Sequence, residues 1–216
     1  MNLTHTLAAQ VAAKYSAVSQ PPFFVAICGW ADTGKSTLAS SLCTSLIGMG
    51  VSADWLSTDA FLKDRSERNA LGHTGYNSAS IDGAAMRDAV ASILNGQDFT
   101  YYPYENRTGC KAANPTTLSP QSVIVIEGIH AFHPAVSKAL HLRLFIDADE
   151  STLRAMRARA NVAKRGMSEI DSHARVDKEL EDYRAFTLPL KAQADLLVRV
   201  NMDFEYSVWP RGAVDA

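Results

Sequence analysis

The chain has 216 residues, 47% hydrophobic and 20% charged, which excludes wholesale disorder and supplies enough apolar residues for one sizeable core. Its 21 lysines and arginines against 23 acids leave a formal charge of −2, excluding the broadly basic footprint of a nucleic-acid binder. The three cysteines, Cys28, Cys43 and Cys110, form no CxxC pair, so they read as small core residues in a reducing compartment rather than as a disulfide framework or zinc ribbon.

Residues 1–20 show no export signal, but Leu3, Leu7, Val11 and Tyr15 recur at helical spacing and predict an amphipathic helix laid against the domain. No later stretch approaches the length of a membrane span, so a cytoplasmic protein without membrane contact is expected. After Pro21 and Pro22, the run Phe23 to Cys28 is short, apolar and β-rich, and a glycine turn leads from it into a helical pattern over residues 36–50. Four more strand candidates follow: Val51 to Ser57, Val123 to Glu127, Leu142 to Asp147 and Asp195 to Val200. Helical patterns separate most of them, which predicts a three-layer α/β fold with a parallel sheet covered on both faces. Residues 60–121 form a long insertion with one helix, Asp82 to Asn95, capped by Asp82 and stopped by Gly96; the rest reads as loop or hairpin. A loop-rich segment of that length is more often a functional lid or binding element than a spacer. The tail, residues 201–216, carries aromatics that either pack back on the domain or form a subunit contact, which leaves a homo-oligomer open. No linker to a second domain is apparent, so residues 1–216 read as one domain.

Gly29-Trp30-Ala31-Asp32-Thr33-Gly34-Lys35-Ser36-Thr37 fits GxxxxGK[ST] and lies between a buried strand and a helix, as a phosphate-binding P-loop must. Glycines let backbone N–H groups turn inward around phosphate oxygens, and the helix N-terminus adds partial positive charge. ATP and Mg²⁺ are therefore the expected cofactors. Gly29, Ala31, Asp32, Thr33, Gly34, Lys35, Ser36 and Thr37 are the nucleotide-binding candidates, with Lys35 reaching the β- and γ-phosphates and the Ser36 hydroxyl meeting the metal. Asp32 is the discordant member, because a carboxylate near a triphosphate is repulsive unless it points away or pairs with a cation.

Ligands of open α/β sheets gather at the carboxyl ends of strands, which makes Asp59 and Glu127 candidates for chemistry. From position alone two readings stay open for each. Asp59 either takes the proton of an attacking hydroxyl or helps orient the metal, or else it caps a turn. Glu127 either serves Mg²⁺, directly or through water, or is a satisfied buried acid.

The ordered set GWADTGKST, STDAFLK, YPYENRTG, VIVIEGIHAF, LFIDAD and RAMRARANVAKRG resembles the uridine kinase and phosphoribulokinase family of P-loop kinases from about Phe23 to Val200. The resemblance implies transfer of the ATP γ-phosphoryl group to a hydroxyl of a small metabolite, with uridine kinase the most similar type. It also implies Asp59 as general base, Lys35 as phosphate clamp, and Ser36, Glu127 and Asp59 on the magnesium side. Tyr104 matches the tyrosine of the nucleoside kinases' PVYDF segment beside the acceptor, Arg107 follows in the same loop, and Phe61 matches the aromatic two positions after the catalytic aspartate. One departure concerns the acceptor: Ala79 stands where uridine kinases place the first aspartate of HPDAFD, which binds the ribose hydroxyls. The acceptor alternatives are pantothenate, a sugar or a glycerate-like acid, and the rival from another class is a regulatory nucleotide-binding protein that transfers no phosphate.

Arg154, Arg157, Arg159, Lys164 and Arg165 cluster after Asp147, and residues 154–172 read as a basic lid whose guanidinium groups stabilise spread phosphoryl charge; the alternative is a solvated helix face. Arg157 and Arg165 are the preferred pair for ATP or acceptor. His130 and His133 have metal-like spacing but no third ligand, and are read as structural or acceptor-side histidines.

Overall fold

The computed structural model describes residues 3–18 and 21–209. Its regular elements begin with helix α1 (Leu3–Ser16), strand β1 (Phe23–Gly29), α2 (Lys35–Gly48), β2 (Ala53–Ser57), α3 (Arg65–Ala70) and α4 (Gly83–Leu94). Short strands β3 (Phe99–Tyr101), β4 (Tyr104–Glu105), β5 (Cys110–Lys111) and β6 (Thr116–Leu118) complete the insertion. The core resumes with β7 (Val123–Glu127), α5 (Pro134–Ser137), β8 (Leu140–Asp147), α6 (Glu150–Arg165), α7 (Glu169–Asp182), β9 (Leu196–Val200) and β10 (Tyr206–Trp209).

Six of these strands form one sheet in the order β10-β9-β8-β1-β7-β2. Every residue of the central strands β1 and β7 is buried, as strands covered by helices on both faces must be. Register then decides where chemistry can gather. Glu127 is level with Ile27 of β1 on one side and with Ser57 of β2 on the other, so the loops leaving all three strands open at one edge. Gly29 makes the exit from β1 possible: its φ is 141°, and a Cβ there would lie 2.2 Å from the Ile146 carbonyl oxygen of β8.

The expected parallel sheet is correct for five strands, but β10 runs antiparallel to β9. The connection is too short for a crossover. Asn201 tightens it, its Oδ1 accepting from the N–H groups of Asp203 at 3.0 Å and Glu205 at 2.9 Å. Within the described residues the tail therefore packs back on the domain; residues 210–216 lie outside them. At the other end, α1 buries Leu7, Ala8 and Val11 and packs on α2, while residues 1, 2, 19 and 20 of the expected N-terminal segment lie outside the described residues.

In the insertion, Asp82 caps α4 by accepting from Ala84 and Ala85 N–H at 3.0 Å each. Helix α3 is an addition to what the sequence reading placed there. Its signal was legible, since Asp64 precedes Glu67 by three residues, the spacing of a capping box, although the Asp64 side chain makes no cap bond here. One cysteine reading is corrected: Cys28 and Cys43 are buried but Cys110 is exposed, because β5 belongs to a two-stranded ribbon with no layer covering it.

Candidate active site

The phosphate loop turns tightly at the N-terminus of α2. Asp32 (φ 60°) and Gly34 (φ 81°) are both left-handed, the geometry that aims successive N–H groups into one concavity. Aromatic side chains hold the loop from beneath. Trp30 stacks on Tyr76 with centroids 4.9 Å apart and meets the Tyr183 ring edge-on at 4.7 Å, and the Tyr76 hydroxyl accepts from the Ala31 N–H at 3.0 Å. From the other side the Tyr206 hydroxyl of β10 lies 3.2 Å from the carbonyl oxygens of both Thr33 and Gly34. The C-terminal hairpin thus braces the loop.

Lys35 is buried and donates to the Trp30 carbonyl at 2.5 Å. Burial pushes its pKa down, and the carboxylates of Glu127 and Asp59 oppose that shift. The Ser36 hydroxyl donates to Glu127 Oε1 at 3.0 Å, so the two groups read as metal-side meet across the sheet edge. Burial, and then the charge of Asp59, push the Glu127 carboxyl up, with Lys35 pulling against them. Glu127 is thus a buried acid satisfied by hydroxyls, and it also lines the cleft.

Asp59 lies in a helical turn, Thr58–Phe61, directly after β2. Its own side chain does not cap that turn: Ser57 does, its hydroxyl accepting from the Asp59 N–H at 3.3 Å. The Asp59 carboxylate instead lines a cleft of about 240 Å³ together with Lys35, Ser36 and Glu127. Burial raises its pKa, against the pull of Lys35 and Arg68.

Asp32 has found cations. Arg157 contacts its carboxylate at 2.5 Å, Lys164 at 3.1 Å and Arg165 at 3.2 Å. Burial by itself raises the Asp32 pKa, but Arg157, with Arg165 and Lys164, outweighs it and holds the group well below the usual carboxylate range. Arg157 also reaches Glu179 of α7 with two bonds of 2.6 Å each. Arg154, one turn away, instead pairs at the surface with Glu150 and Asp177. The cations of α6 therefore gather on the phosphate loop through an acid the loop itself supplies. A native-state pKa below the unfolded value gives stability that is present above the ordinary carboxylate range and lost progressively as pH falls from there through the lower folded value. Asp32→Asn is thus expected to cost about 3–5 kcal/mol near neutrality, as breaking a buried pair does. The deficit should shrink below about pH 4, in the ordinary aspartate range. Thermal melts of both proteins between pH 7 and 3 check this, and a deficit independent of pH would refute it.

Of the residues read as acceptor-side, Tyr104 lines the cleft, and its hydroxyl accepts from Arg68 at 2.6 Å. Phe61 is buried and packs on Phe99, with centroids 6.2 Å apart, rather than lining the cleft. Arg107 is exposed, and it is Arg65 and Arg68 of α3 that line the cleft. Those two, with Arg175 and Glu179 of α7, are the residues sequence reasoning missed. The signal for α7 was Ser168 three residues before Asp171. His130 is buried, and burial takes its pKa down to about 4, so the neutral ring donates from Nε2 to the Gly75 carbonyl at 2.8 Å. His133 caps α5, its Nδ1 accepting from the Ala135 N–H at 3.1 Å. Among the described residues no cluster of three or more His, Cys, Asp or Glu side chains could hold a metal ion, and no helix is long and apolar enough to cross a membrane.

A GxxxxGKST loop joining a central strand to its helix, in a mostly parallel sheet with acids at the neighbouring strand ends, defines the class of P-loop kinases. The chain belongs to the Phosphoribulokinase / Uridine kinase family, whose model matches residues 24–206. It is 26% identical over 185 residues to a uridine kinase from Deinococcus deserti, covering 82% of this chain and 87% of that one. To a phosphoribulokinase from Synechocystis it is 25% identical over 177 residues, covering 82% of this chain and 53% of that one. Among solved structures, a candidate fructose transport system kinase from Silicibacter sp. TM1040 superposes with a TM-score of 0.76 at 19% identity, covering 91% of this chain and 99% of that one. At that identity the likeness speaks for the fold.

Proposed function

We propose that this P-loop small-molecule kinase transfers the γ-phosphoryl group of ATP to a hydroxyl group of a small metabolite. The observation that carries this reading is the convergence of Lys35, Ser36, Glu127 and Asp59 on one cleft at the sheet edge. Gly29 through Thr37 cradle the phosphates, and Lys35 swings from the Trp30 carbonyl to the β- and γ-oxygens. Asp59 accepts the acceptor's proton as that oxygen bonds to the γ-phosphorus and the bond to ADP breaks, so the proton ends on the carboxylate. A raised pKa suits the task, because a base is most effective when its pKa approaches the operating pH. Ser36 and Glu127, two hard oxygen donors already in contact, fit Mg²⁺ and would hold it, with Asp59 near by. The ion would neutralise charge on the phosphates. Arg157 and Arg165, released from Asp32, supply positive charge to the equatorial oxygens.

Uridine is a poor candidate acceptor. Ala79 is exposed in the turn after Asn77 and offers no carboxylate to ribose hydroxyls. Coupled ADP release at saturating MgATP, across nucleosides, pantothenate, sugars and sugar acids, tests the reading. Acceptor-dependent release is expected in at least one class, with uridine and cytidine about a hundredfold below it for want of a charge-assisted hydrogen bond. Tight MgATP binding with no acceptor-dependent release would make the protein a nucleotide binder that transfers nothing. Efficient uridine turnover that collapses with the 2′-deoxy analogue would overturn the Ala79 argument.

A further inference from the structure

Seven basic side chains and four acidic ones line the cleft. Two of the acids are already committed: Asp32 lies among the three lid cations, and Glu179 is held by Arg157 and Arg175. The other two, Asp59 and Glu127, are the groups assigned to proton transfer and metal. No acid of the cleft is left to accept the hydroxyl donors of a neutral polyol or a ribose.

The two arginines of α3 present the opposite situation. Arg68 is 5% exposed, yet its Nε donates to the Lys63 carbonyl at 3.0 Å and its Nη2 to the Tyr104 hydroxyl at 2.6 Å, both neutral acceptors. Arg65 likewise bonds the backbone carbonyls of Asn106 and Arg107, and its Nε is buried without a partner. Among the described residues neither guanidinium has a carboxylate in ion-pair contact. Room for the Arg68 head depends on Gly75, where a Cβ would stand 3.3 Å from Nη1. Asp59 acts on Arg68 only through space, and a buried, positioned charge with no carboxylate in contact is costly unless a ligand supplies one. Arg65 and Arg68 line the same cleft as Asp59, on the segment that follows it.

We infer that the phosphoryl acceptor is an anion, its carboxylate or phosphate bound by Arg68 and Arg65 while Asp59 faces its hydroxyl. This rests on the transfer reading above and narrows the acceptor class. Arg68 is the specificity residue: Tyr104 and the Lys63 carbonyl fix the plane of its guanidinium, and a planar fork suits either anion. The Tyr104 hydroxyl, which accepts from Arg68, keeps its own proton to donate to the same ligand.

The test is coupled ADP release at saturating MgATP with neutral and charged partners of one skeleton. Pantothenol against pantothenate and glycerol against D-glycerate form the carboxylate arm; ribose against ribose 5-phosphate forms the phosphate arm. Turnover is expected only with charged members, and the arm in which it appears identifies the anion. Arg68→Gln should raise KM for that acceptor about a hundredfold, the loss expected for a charge-assisted contact, with a much smaller change in kcat. Arg68→Lys should recover part of the loss. Equal use of neutral and charged members, or an acceptor KM unmoved by Arg68→Gln, would overturn the inference. So would silence from every charged member while basal MgATP hydrolysis, lost in Lys35→Ala, persists. Absence of basal hydrolysis as well would instead bring down the transfer reading on which the inference depends.

Discussion

Lys35→Ala is expected to lower kcat by about three orders of magnitude, the cost of removing a preorganised charge from the reacting phosphates. From sequence alone the substitution looks harmless to the fold, since a P-loop lysine serves its ligand. The structure changes that expectation. Lys35 is buried, with Glu127 and Asp59 acting on its ammonium and the Trp30 carbonyl bonded to it. Its removal leaves two crowded acids without the cation between them, and an apo stability loss on the order of 1–3 kcal/mol should accompany the kinetic defect. Single-turnover kinetics at saturating MgATP and denaturant unfolding of the same protein check both parts. Wild-type turnover at saturation would remove Lys35 from the reaction.

Asp59→Asn should lower kcat about a thousandfold, within the range for loss of a positioned general base, while MgATP affinity stays within about twofold. Stability should move the other way. The pKa of Asp59 is raised in the fold, so its ionised form is penalised as pH rises through that value, and a neutral amide escapes the penalty. The apo variant is therefore expected to melt slightly above wild type near pH 8, the gain vanishing as pH falls into the ordinary carboxylate range, where the native group is itself protonated. A variant both inactive and markedly less stable at pH 8 would show that Asp59 holds the fold together. Collapse of MgATP binding with intact saturated turnover would make it a nucleotide ligand.

Several features of this protein were decided by its local sequence. The apolar run Phe23 to Cys28, the glycine-rich loop after it and the helix beginning at Lys35 are contiguous, so strand, phosphate loop and helix N-terminus follow from one stretch of chain. The run VIVIE was legible as a strand buried on both faces for the same reason, because uninterrupted apolar residues leave no face for solvent. The cap of α4 by Asp82 needed only the N–H groups two and three residues downstream.

What only the tertiary structure decided are the pairings between distant segments. Asp32 looked discordant in the loop because its partners Arg157, Lys164 and Arg165 come from more than a hundred residues downstream, and nothing local says that an acid will meet cations from another layer. Glu179 reads as one acid among several on a helix with a charged face, yet α6 and α7 pack so that it is buried between Arg157 and Arg175. Arg107 drew notice because it sits inside a recognisable motif, yet it lies exposed outside the cleft, whereas Arg68 required the fold of the insertion to bring α3 under Tyr104. The antiparallel course of β10, and with it the support that Tyr206 gives to the phosphate loop, came from a turn whose consequence depends on the sheet already being there. Periodicity and motif spacing report what a residue does to its chain neighbours. Charge compensation and the shape of the cleft depend on which surfaces the packed layers bring face to face.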